Sequence, residues 1–340
     1  FKDPVVEQIC VANFSSDGIG VLPEDAAKVT SIGTIFKGNT EISRFDEFEY
    51  FTRVAILGSS AFEGCSQLES IKLPQSLIRL DNYAFKDCPK LKEIDVRKVE
   101  FINGSVFTGS LDGARLIFDN LYNVGYGSLR RTGAVYMEFN HPVEFGGEAC
   151  TENTRLIKVK IGNNVAVIPI FNGSTSLVDI DITDNRTIIG INNYAFNNVP
   201  LDNITDVRLP NFKVASKIVS LFYASNIYSI SDMGRINGEL SQTIAACHNL
   251  EYVAIPYGVT KQSYNWSGCN ALRTMVVNPI VPPTSVARAA PDNVSHIYVP
   301  DESVQSYKDA ALWINFASKI FHMSDYVTYE DVTSQLTSDV

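Results

Sequence analysis

Basic residues are too scarce in this sequence to form a dense cationic surface. The 340 residues include 28 lysines and arginines against 38 aspartates and glutamates, a formal charge of −10. Phosphate backbones and anionic membranes are bound mainly through clustered positive charge. The composition therefore argues against nucleic acid as a partner.

Long hydrophobic runs are missing as well. The longest unbroken apolar stretch, Val165 to Phe171, is far shorter than the roughly 20 residues that cross a bilayer. We therefore expect no transmembrane segment in this chain. It opens at Phe1 without a Met or a charged-then-apolar leader, so we interpret it as a mature or trimmed chain whose targeting signal lies outside the sequence.

The usual signatures of catalysis and metal binding are also lacking. The four histidines do not fall at metal-ligand spacing, and the six cysteines include no C-x-x-C pair. Neither a nucleophile elbow of the G-x-S-x-G kind nor a Walker-type phosphate loop occurs. We expect no cofactor, no bound metal and no enzymatic activity.

What the chain does contain is a repeat. The segment 61–74, AFEGCSQLESIKLP, returns 23 residues later as AFKDCPKLKEIDV at 84–96. Each copy has a Phe, a small residue three positions on, a Leu six on, and apolar residues nine and eleven on. The same register reappears from Phe171 and from Trp266. A period near 22 with one short strand per unit is typical of leucine-rich repeats.

The apolar residue at the ninth position can be followed along most of the chain. One unit cannot bury its own apolar face, so stacked units must share a continuous core. We predict an α/β-type repeat solenoid, right-handed, with about 12 coils of roughly 22 residues and a parallel sheet on its concave face. The ninth positions are Val54, Ile71, Ile94, Leu116, Met137, Val159, Ile180, Val207, Tyr228, Val253, Met275 and Ile297. The phase around Tyr228 stays open, because 225–230 fits either register.

The spacing F-x-x-C-x-x-L-x-x-I-x-L-P, carried here by Phe62, Cys65, Leu68, Ile71 and Pro74, resembles the BspA-type leucine-rich repeat family. That family consists of surface proteins of Bacteroides-like gut bacteria. The segments 282–313 and 1–52 resemble its C-terminal cap and its N-terminal leader module. The resemblance implies a secreted or cell-surface location, with a lipid anchor through a missing N-terminal signal left open, and a role in adhesion.

Four segments are predicted. Residues 1–50 form an N-terminal cap module, 51–300 the solenoid, 301–325 a C-terminal helical cap that covers the open end of the sheet, and 326–340 a loosely ordered tail. The family's leader often carries an EF-hand-like loop. Here the ligand positions would hold Ser15, Asp17, Ile19 and Ala26, of which Asp17 alone is a good calcium ligand. We therefore interpret the loop as degenerate.

Four cysteines occupy one structural position of the repeat. Cys65, Cys88, Cys247 and Cys269 each precede a repeat Leu by three residues, and we expect them to pack as small buried side chains. Disulfides Cys65–Cys88 and Cys247–Cys269 remain geometrically feasible, since neighbouring coils lie about 4.8 Å apart.

Residues that alternate with the apolar strand positions should point away from the core. Exposed tyrosines on a rigid sheet are typical of recognition surfaces, although the same rings could pack under flanking loops. The candidate binding residues on this concave face are Tyr136, Lys158, Lys160, Asp179, Asp181, Asp206, Arg208, Tyr252, His296 and Tyr298.

We therefore predict a non-catalytic binding or adhesion protein that recognises a host or bacterial surface protein or a glycan. A structural scaffold or spacer on the bacterial surface is the first alternative. A glycosidase-like hydrolase is the second, because paired carboxylates such as Asp179, Asp181 and Asp206 can perform glycoside hydrolysis. The sequence leaves the oligomeric state open.

Overall fold

The computed structural model describes residues 1–162, 164–165, 167–181, 190–191, 193–209, 212–214 and 217–326. It is a parallel-sheet β-solenoid of about twelve turns, as the repeat period predicted. The chain divides into two compact units, Phe1–Leu201 and Asp202–Val340, here called unit 1 and unit 2. The predicted loose tail from 327 onwards, and the gap 182–189, lie outside the described residues.

Unit 1 begins with helix α1 (Pro4–Phe14), followed by the single turn α2 (Pro23–Ala26) and a 3-10 helix over Asp46–Tyr50. Its strands are β1 (Arg44–Phe45), β2 (Ile56–Leu57), β3 (Ser70–Ile71), β4 (Arg79–Leu80), β5 (Glu93–Ile94), β6 (Phe101–Ile102), β7 (Arg115–Phe118), β8 (Asn123–Val124), β9 (Tyr136–Phe139), β10 (Glu144–Phe145), β11 (Lys158–Ile161), β12 (Val167–Ile168), β13 (Asp179–Asp181) and β14 (Gly190–Ile191).

Unit 2 carries the remaining strands and α3 (Val304–Asp309), with 3-10 helices over Asp301–Ser303, Ile314–Lys319 and Met323–Asp325. Its strands are β15 (Asp206–Arg208), β16 (Lys213–Val214), β17 (Lys217–Val219), β18 (Ser229–Asp232), β19 (Arg235–Ser241), β20 (Tyr252–Ile255), β21 (Tyr257–Ser263), β22 (Thr274–Val277), β23 (Thr284–Val286), β24 (His296–Val299) and β25 (Ile320–His322).

Each full turn contributes two strands, so each unit has two series of parallel strands. The first ladder contains the predicted strands: β1-β3-β5 and β7-β9-β11-β13 in unit 1, and β15-β18-β20-β22-β24-β25 in unit 2. The second ladder, which sequence reasoning missed, comprises β2-β4-β6-β8-β10 and β12-β14, then β16-β19-β21-β23 with β17 beside β19. All described strands of the second ladder in unit 1 are two residues long, too short to show an alternating pattern. The repeat register followed along the sequence marks only one strand position in each unit.

Two positions of the predicted ladder need correction. Val54 lies outside the strands, and the residue that pairs with Ile71 is Phe45 on β1. A 3-10 helix over Asp46–Tyr50 follows β1. In unit 2, Ile230 rather than Tyr228 aligns with Val253, which resolves the register that the sequence left open. Tyr228 is exposed, because it precedes β18.

The Phe position of the repeat forms a stacked column inside unit 1. The rings of Phe36, Phe62, Phe85 and Phe107 follow one another at centroid distances of 5.2, 5.3 and 5.7 Å. The rings of Phe62 and Phe85 are only 2° from parallel. Identical side chains at identical positions therefore stack as the turns do, and all four are fully buried.

The small residue of the repeat is a hydrogen-bond donor as well as a space filler. The thiols of Cys65 and Cys88 donate to the carbonyl oxygens of Phe36 and Phe62 in the preceding turn, each at 3.0 Å. In unit 2, Cys247 and Cys269 donate to Phe222 and Ile244 at 2.9 and 3.1 Å, and Ser110 makes the equivalent bond in unit 1 with its hydroxyl. All six cysteines are free and buried. The position thus selects a small donor that adds a hydrogen bond to a carbonyl of the preceding turn.

The N-terminal helix is anchored by a single carboxylate. Asp3 caps α1 by accepting from the backbone N–H groups of Val5 and Val6, and its second oxygen accepts from the backbone and hydroxyl of Ser43. Burial opposes ionisation, yet the bonds from Ser43 and Val6 hold the pKa of Asp3 below its usual value. One side chain therefore joins the helix to the first turn.

The C-terminal segment is anchored by two aromatic residues. The Tyr307 hydroxyl donates to the Pro279 carbonyl at 2.6 Å, and the Trp313 indole N–H donates to the Pro283 carbonyl at 2.9 Å. Their rings meet edge to face at 4.9 Å. Within the predicted helical cap 301–325, the α-helix covers only Val304–Asp309, and β25 continues the first ladder beyond β24. The last element paired in the sheet is therefore a strand, not the predicted helix.

Candidate functional site

The outward surface of the first ladder, here called the first face, carries the ten candidate residues. Five belong to unit 1 and five to unit 2, and each group is described within its own unit. In both, the alternation of the strands is as expected: the apolar members of β7, β11 and β24 are buried and the intervening residues are half-buried or exposed.

In unit 1 the candidates lie side by side on three paired strands. Lys158 is aligned with Tyr136 on one side and with Asp179 on the other, and Lys160 is aligned with Asp181. The Lys158 ammonium is 2.7 Å from Asp179, and this pairing raises the pKa of Lys158. Strand β11, which carries both lysines, therefore lies between the tyrosine of β9 and the two aspartates of β13.

Tyr136 is not the exposed ring that a recognition surface would present. It is only 8% exposed, because the Arg115 guanidinium lies over its ring at 3.9 Å from the centroid. Its hydroxyl donates to Glu138 at 2.7 Å, and burial together with this bond raises the pKa of Tyr136 to about 12. Tyr136 is therefore covered, but by Arg115 on the neighbouring strand β7 and not by a flanking loop.

Glu138 connects the tyrosine with the lysines. It accepts from Tyr136 and lies 2.8 Å from the Lys160 ammonium. Burial disfavours the charged form, but the bonds from Lys160 and Tyr136 prevail and lower the pKa of Glu138. Neither Arg115 nor Glu138 was among the candidates, although both occupy outward positions and Glu138 is two residues from Tyr136 on the same strand.

Nearer the N-terminus, the first face of unit 1 contains a groove of about 720 Å³. Its charged lining is mixed in sign, and several members pair locally: Arg97 with Asp95 at 2.6 Å and Lys72 with Glu49 at 3.3 Å. The charged lining residues are Lys2, Arg44, Asp46, Glu49, Lys72, Glu93, Asp95, Arg97 and Arg115. This surface offers alternating charges rather than a field of one sign.

In unit 2 the polar candidates are held by serines. Asp206 accepts from the hydroxyls of Ser229 and Ser231 at 2.7 and 2.5 Å, and Arg208 lies 2.7 Å from it. Although burial opposes ionisation, these contacts lower the pKa of Asp206. The register shift between β15 and β18 places Ser231 within reach of this carboxylate.

The aromatic candidates of unit 2 belong to a cluster of five rings. His296 stacks on Tyr298 at 5.9 Å, and both contact Phe321 on the neighbouring strand, at 5.3 and 6.0 Å. Tyr326 joins Tyr298 at 5.0 Å and Tyr252 at 6.2 Å. All except the exposed His296 are half-buried. Burial, then the contact with Tyr326, raises the pKa of Tyr252.

Phe321 and Tyr326 were missed by sequence reasoning. Ile320 follows Ile297 by 23 residues, so the repeat period itself marks β25 and gives Phe321 the outward position of Tyr298. The signal was masked because 301–325 resembled a helical cap. Tyr326 follows the last 3-10 helix and carries no periodic signal at all.

Metal chemistry has no assembled ligand set in the described part of the chain: no three His, Cys, Asp or Glu side chains are placed to share an ion. In the N-terminal loop, Asp17 accepts from Ser15, Ile19 and Gly20. These bonds lower the pKa of Asp17 and turn its carboxylate towards its own backbone. Among the described residues no helix has the length and apolarity to cross a membrane.

Comparison with known proteins assigns the family. The chain matches the BspA type leucine rich repeat region in six copies, over residues 30–149 and 144–273. The chain therefore belongs to the BspA-type leucine-rich repeat family, as its motif indicated. Comparison with curated proteins gives no match.

Solved structures with a similar chain are leucine-rich repeat proteins of gut bacteria. One from Bacteroides ovatus is 20% identical with a TM-score of 0.45, over 66% of this chain and 52% of that one, so the match spans about half the Bacteroides chain. A leucine rich cell surface protein from Faecalibacterium prausnitzii is 16% identical, with a TM-score of 0.36 over 86% and 85% of the two chains. A leucine-rich repeat protein from Eubacterium ventriosum is 11% identical, with a TM-score of 0.34 over 86% and 79%.

Proposed function

We propose that this chain is a non-catalytic binding protein, secreted or held at the bacterial surface, that recognises a host or bacterial protein through the first face. Family membership supports the location and the adhesive role. The observation that carries the proposal is the five-ring cluster of unit 2, because half-buried aromatic rings on a rigid sheet are the residues that most often anchor a protein partner. Their order is set by packing before any partner arrives, which lowers the entropy lost on binding.

The charged part of the first face favours a protein over a glycan there. Unit 1 presents both signs of charge on adjacent strands, with Lys158 and Lys160 beside Asp179 and Asp181. Such a pattern can match the mixed charges of a protein surface and reject partners whose charges are out of register. A neutral polysaccharide has no charges for this pattern to recognise.

The hydrolase alternative is disfavoured by the carboxylates themselves. A glycosidase needs one carboxylic acid with a raised pKa as its proton donor. The pKa of Asp206 is lowered by Ser231 and Arg208, and Asp179 is ion-paired with Lys158. Turnover of a panel of chromogenic glycosides, abolished by Asp181→Asn, would restore this alternative.

The test is a binding screen of the full chain against host matrix proteins, mucins and polysaccharides. We expect a protein ligand whose affinity falls by more than about 1 kcal/mol, roughly fivefold, when Tyr298 or Tyr252 is replaced by Ala. Tyr257→Ala is the matched control, because Tyr257 is an exposed tyrosine at the start of the second-ladder strand β21 in the same unit.

Two results would contradict the proposal. Equal affinity of Tyr298→Ala, Tyr252→Ala and the unmodified chain would remove the ring cluster as the site. A blank screen, combined with self-association or binding to neighbouring surface proteins in light scattering, would replace recognition by the scaffold role.

A further inference from the structure

A second aromatic surface lies on unit 1, on the outward side of the second ladder and away from the strands of the first face. The ring of Phe101, at the start of β6, and the ring of Tyr122, just before β8, are 6.1 Å apart and within 21° of parallel. They are 38% and 48% exposed. Two large, partly exposed rings in contact on adjacent turns are unusual for a packing role.

The platform formed by Phe101 and Tyr122 has a fixed orientation. His141 meets the Tyr122 ring edge to face at a centroid distance of 4.1 Å, and its Nδ1 lies 3.0 Å from the carbonyl oxygen of Pro142. The backbone of Tyr122 donates to the carbonyl of Glu100 in the preceding turn at 2.8 Å. The rings are therefore held by the stacked turns rather than by a mobile loop.

The rings form part of an open groove of about 560 Å³. Its lining adds hydrogen-bonding side chains, Asn123 and Glu144, to the apolar surfaces of Phe101, Tyr122 and Pro142. Asn123 is aligned with both Phe101 and Glu144 in the parallel pairing. Polar groups thus lie along the edge of an aromatic floor.

This combination fits a sugar better than an apolar ligand. The face of a pyranose ring presents C–H groups, which stack on the negative face of an aromatic ring, while its hydroxyls project sideways towards hydrogen-bonding partners. Sites of this kind pair an apolar floor with a few placed polar groups. The two rings are 6.1 Å apart, so one oligosaccharide can contact the exposed parts of both.

The charge of the groove restricts the class of oligosaccharide that it can bind. Among the described lining residues there is no lysine or arginine, whereas Glu144 supplies an exposed carboxylate. Arg79, aligned with Phe101 on the neighbouring strand, is ion-paired with Asp81, so an acidic glycan would meet Glu144 without a lysine or arginine in the groove lining. We propose that the Phe101–Tyr122 platform is a binding site for neutral oligosaccharides, separate from the protein-binding first face.

The test is titration of the full chain with cellohexaose, mannohexaose and N-acetylchitohexaose by calorimetry, with hexagalacturonate as the acidic comparison. We expect at least one neutral hexasaccharide to bind and hexagalacturonate not to bind. Tyr122→Ala and Phe101→Ala should each weaken that binding about tenfold or more. Both residues are surface-exposed, and circular dichroism of each variant verifies that it is folded.

The controls separate this site from the rest of the molecule. Tyr126→Ala removes another exposed tyrosine of unit 1 that does not line the groove, and Tyr298→Ala alters the first face of unit 2. Both should leave hexasaccharide affinity unchanged. Loss of binding in Tyr298→Ala alone would place the sugar on the first face and overturn the proposal.

Three further outcomes would also overturn it. One is the absence of binding by all three neutral hexasaccharides at millimolar concentration. Another is affinity that survives Tyr122→Ala. The third is a concentration-dependent dimer in light scattering that Tyr122→Ala abolishes, which would make the platform a contact between two copies of this chain.

Discussion

The two units share an interior design but differ on the first face. In unit 1 the outward residues of β9, β11 and β13 are linked by ion pairs and a covered tyrosine, whereas in unit 2 the outward residues of β20, β24 and β25 contribute rings. Inside, both units use a buried cysteine that donates to the preceding turn. The repeat therefore constrains the core, and each turn varies its surface independently.

The largest effect should come from the aromatic anchor of the C-terminal segment of unit 2. Trp313 is fully buried, and Trp313→Ala should cost about 3–5 kcal/mol because it leaves a cavity and an unpaired Pro283 carbonyl. Hydrogen exchange should accelerate at 296–322 and change little in β9 and β11. Ile314→Ala, at the exposed neighbouring residue, is the control; equal exchange in the two variants would show that Trp313 does not anchor the C-terminal segment.

Truncation of the buried cysteine should destabilise both units by a similar amount. Cys88→Ala and Cys269→Ala each delete a buried thiol that donates to a carbonyl of the preceding turn, which should cost about 1 kcal/mol. The serine variants should recover part of that loss, since Ser110 occupies the same position in its own turn. Urea unfolding gives the comparison, and serine variants no more stable than alanine variants would mean that volume, not the hydrogen bond, selects this residue.

Acid should lower the stability of the two units through different carboxylates. The folded pKa of Asp206 in unit 2 is lowered, so its contribution to stability is present above the unfolded pKa of about 3.9 and is lost as the pH falls through the folded pKa. Both tryptophans, Trp266 and Trp313, lie in unit 2, so tryptophan fluorescence follows that unit during urea unfolding.

The urea midpoint measured by tryptophan fluorescence should fall between about pH 6 and pH 3, and Asp206→Asn should make this fall smaller. Glu138→Gln, the matching change in unit 1, should leave that fluorescence response as it is in the unmodified chain. If Asp206→Asn retains the full acid response, other carboxylates of unit 2 carry it.

The smallest loss of stability should come from breaking an ion pair on the first face of unit 1. Lys158→Met breaks the 2.7 Å contact with Asp179, but both side chains are partly exposed, so the loss should stay below about 1 kcal/mol and shrink further in salt. Urea midpoints at low and high sodium chloride measure it. A loss well above this, independent of salt, would show that the pair supports the fold rather than a recognition surface.

The interior could be predicted because its signals recur. Phe62 and Phe85, or Cys65 and Cys88, return at one spacing, and this spacing alone marks the stacked column and the donor position. The second ladder escaped prediction because the repeat register followed along the chain marks a single strand position in each turn. Of the candidate residues, His296 and Tyr298 stack directly on each other, whereas Tyr252 joins them only through Tyr326. Tyr136 is covered by Arg115.

By itself the sequence determined the family, the period, the first ladder and the buried residues, because a solenoid places residues one period apart on top of each other. The tertiary structure decided the features that the repeat period does not specify. It set the register at Ile230, the pairing of β25 with β24, the covering of Tyr136, and the meeting of Phe101 with Tyr122 on the second ladder. These depend on which side chains from neighbouring turns come within contact distance, and that is fixed only when the turns are stacked.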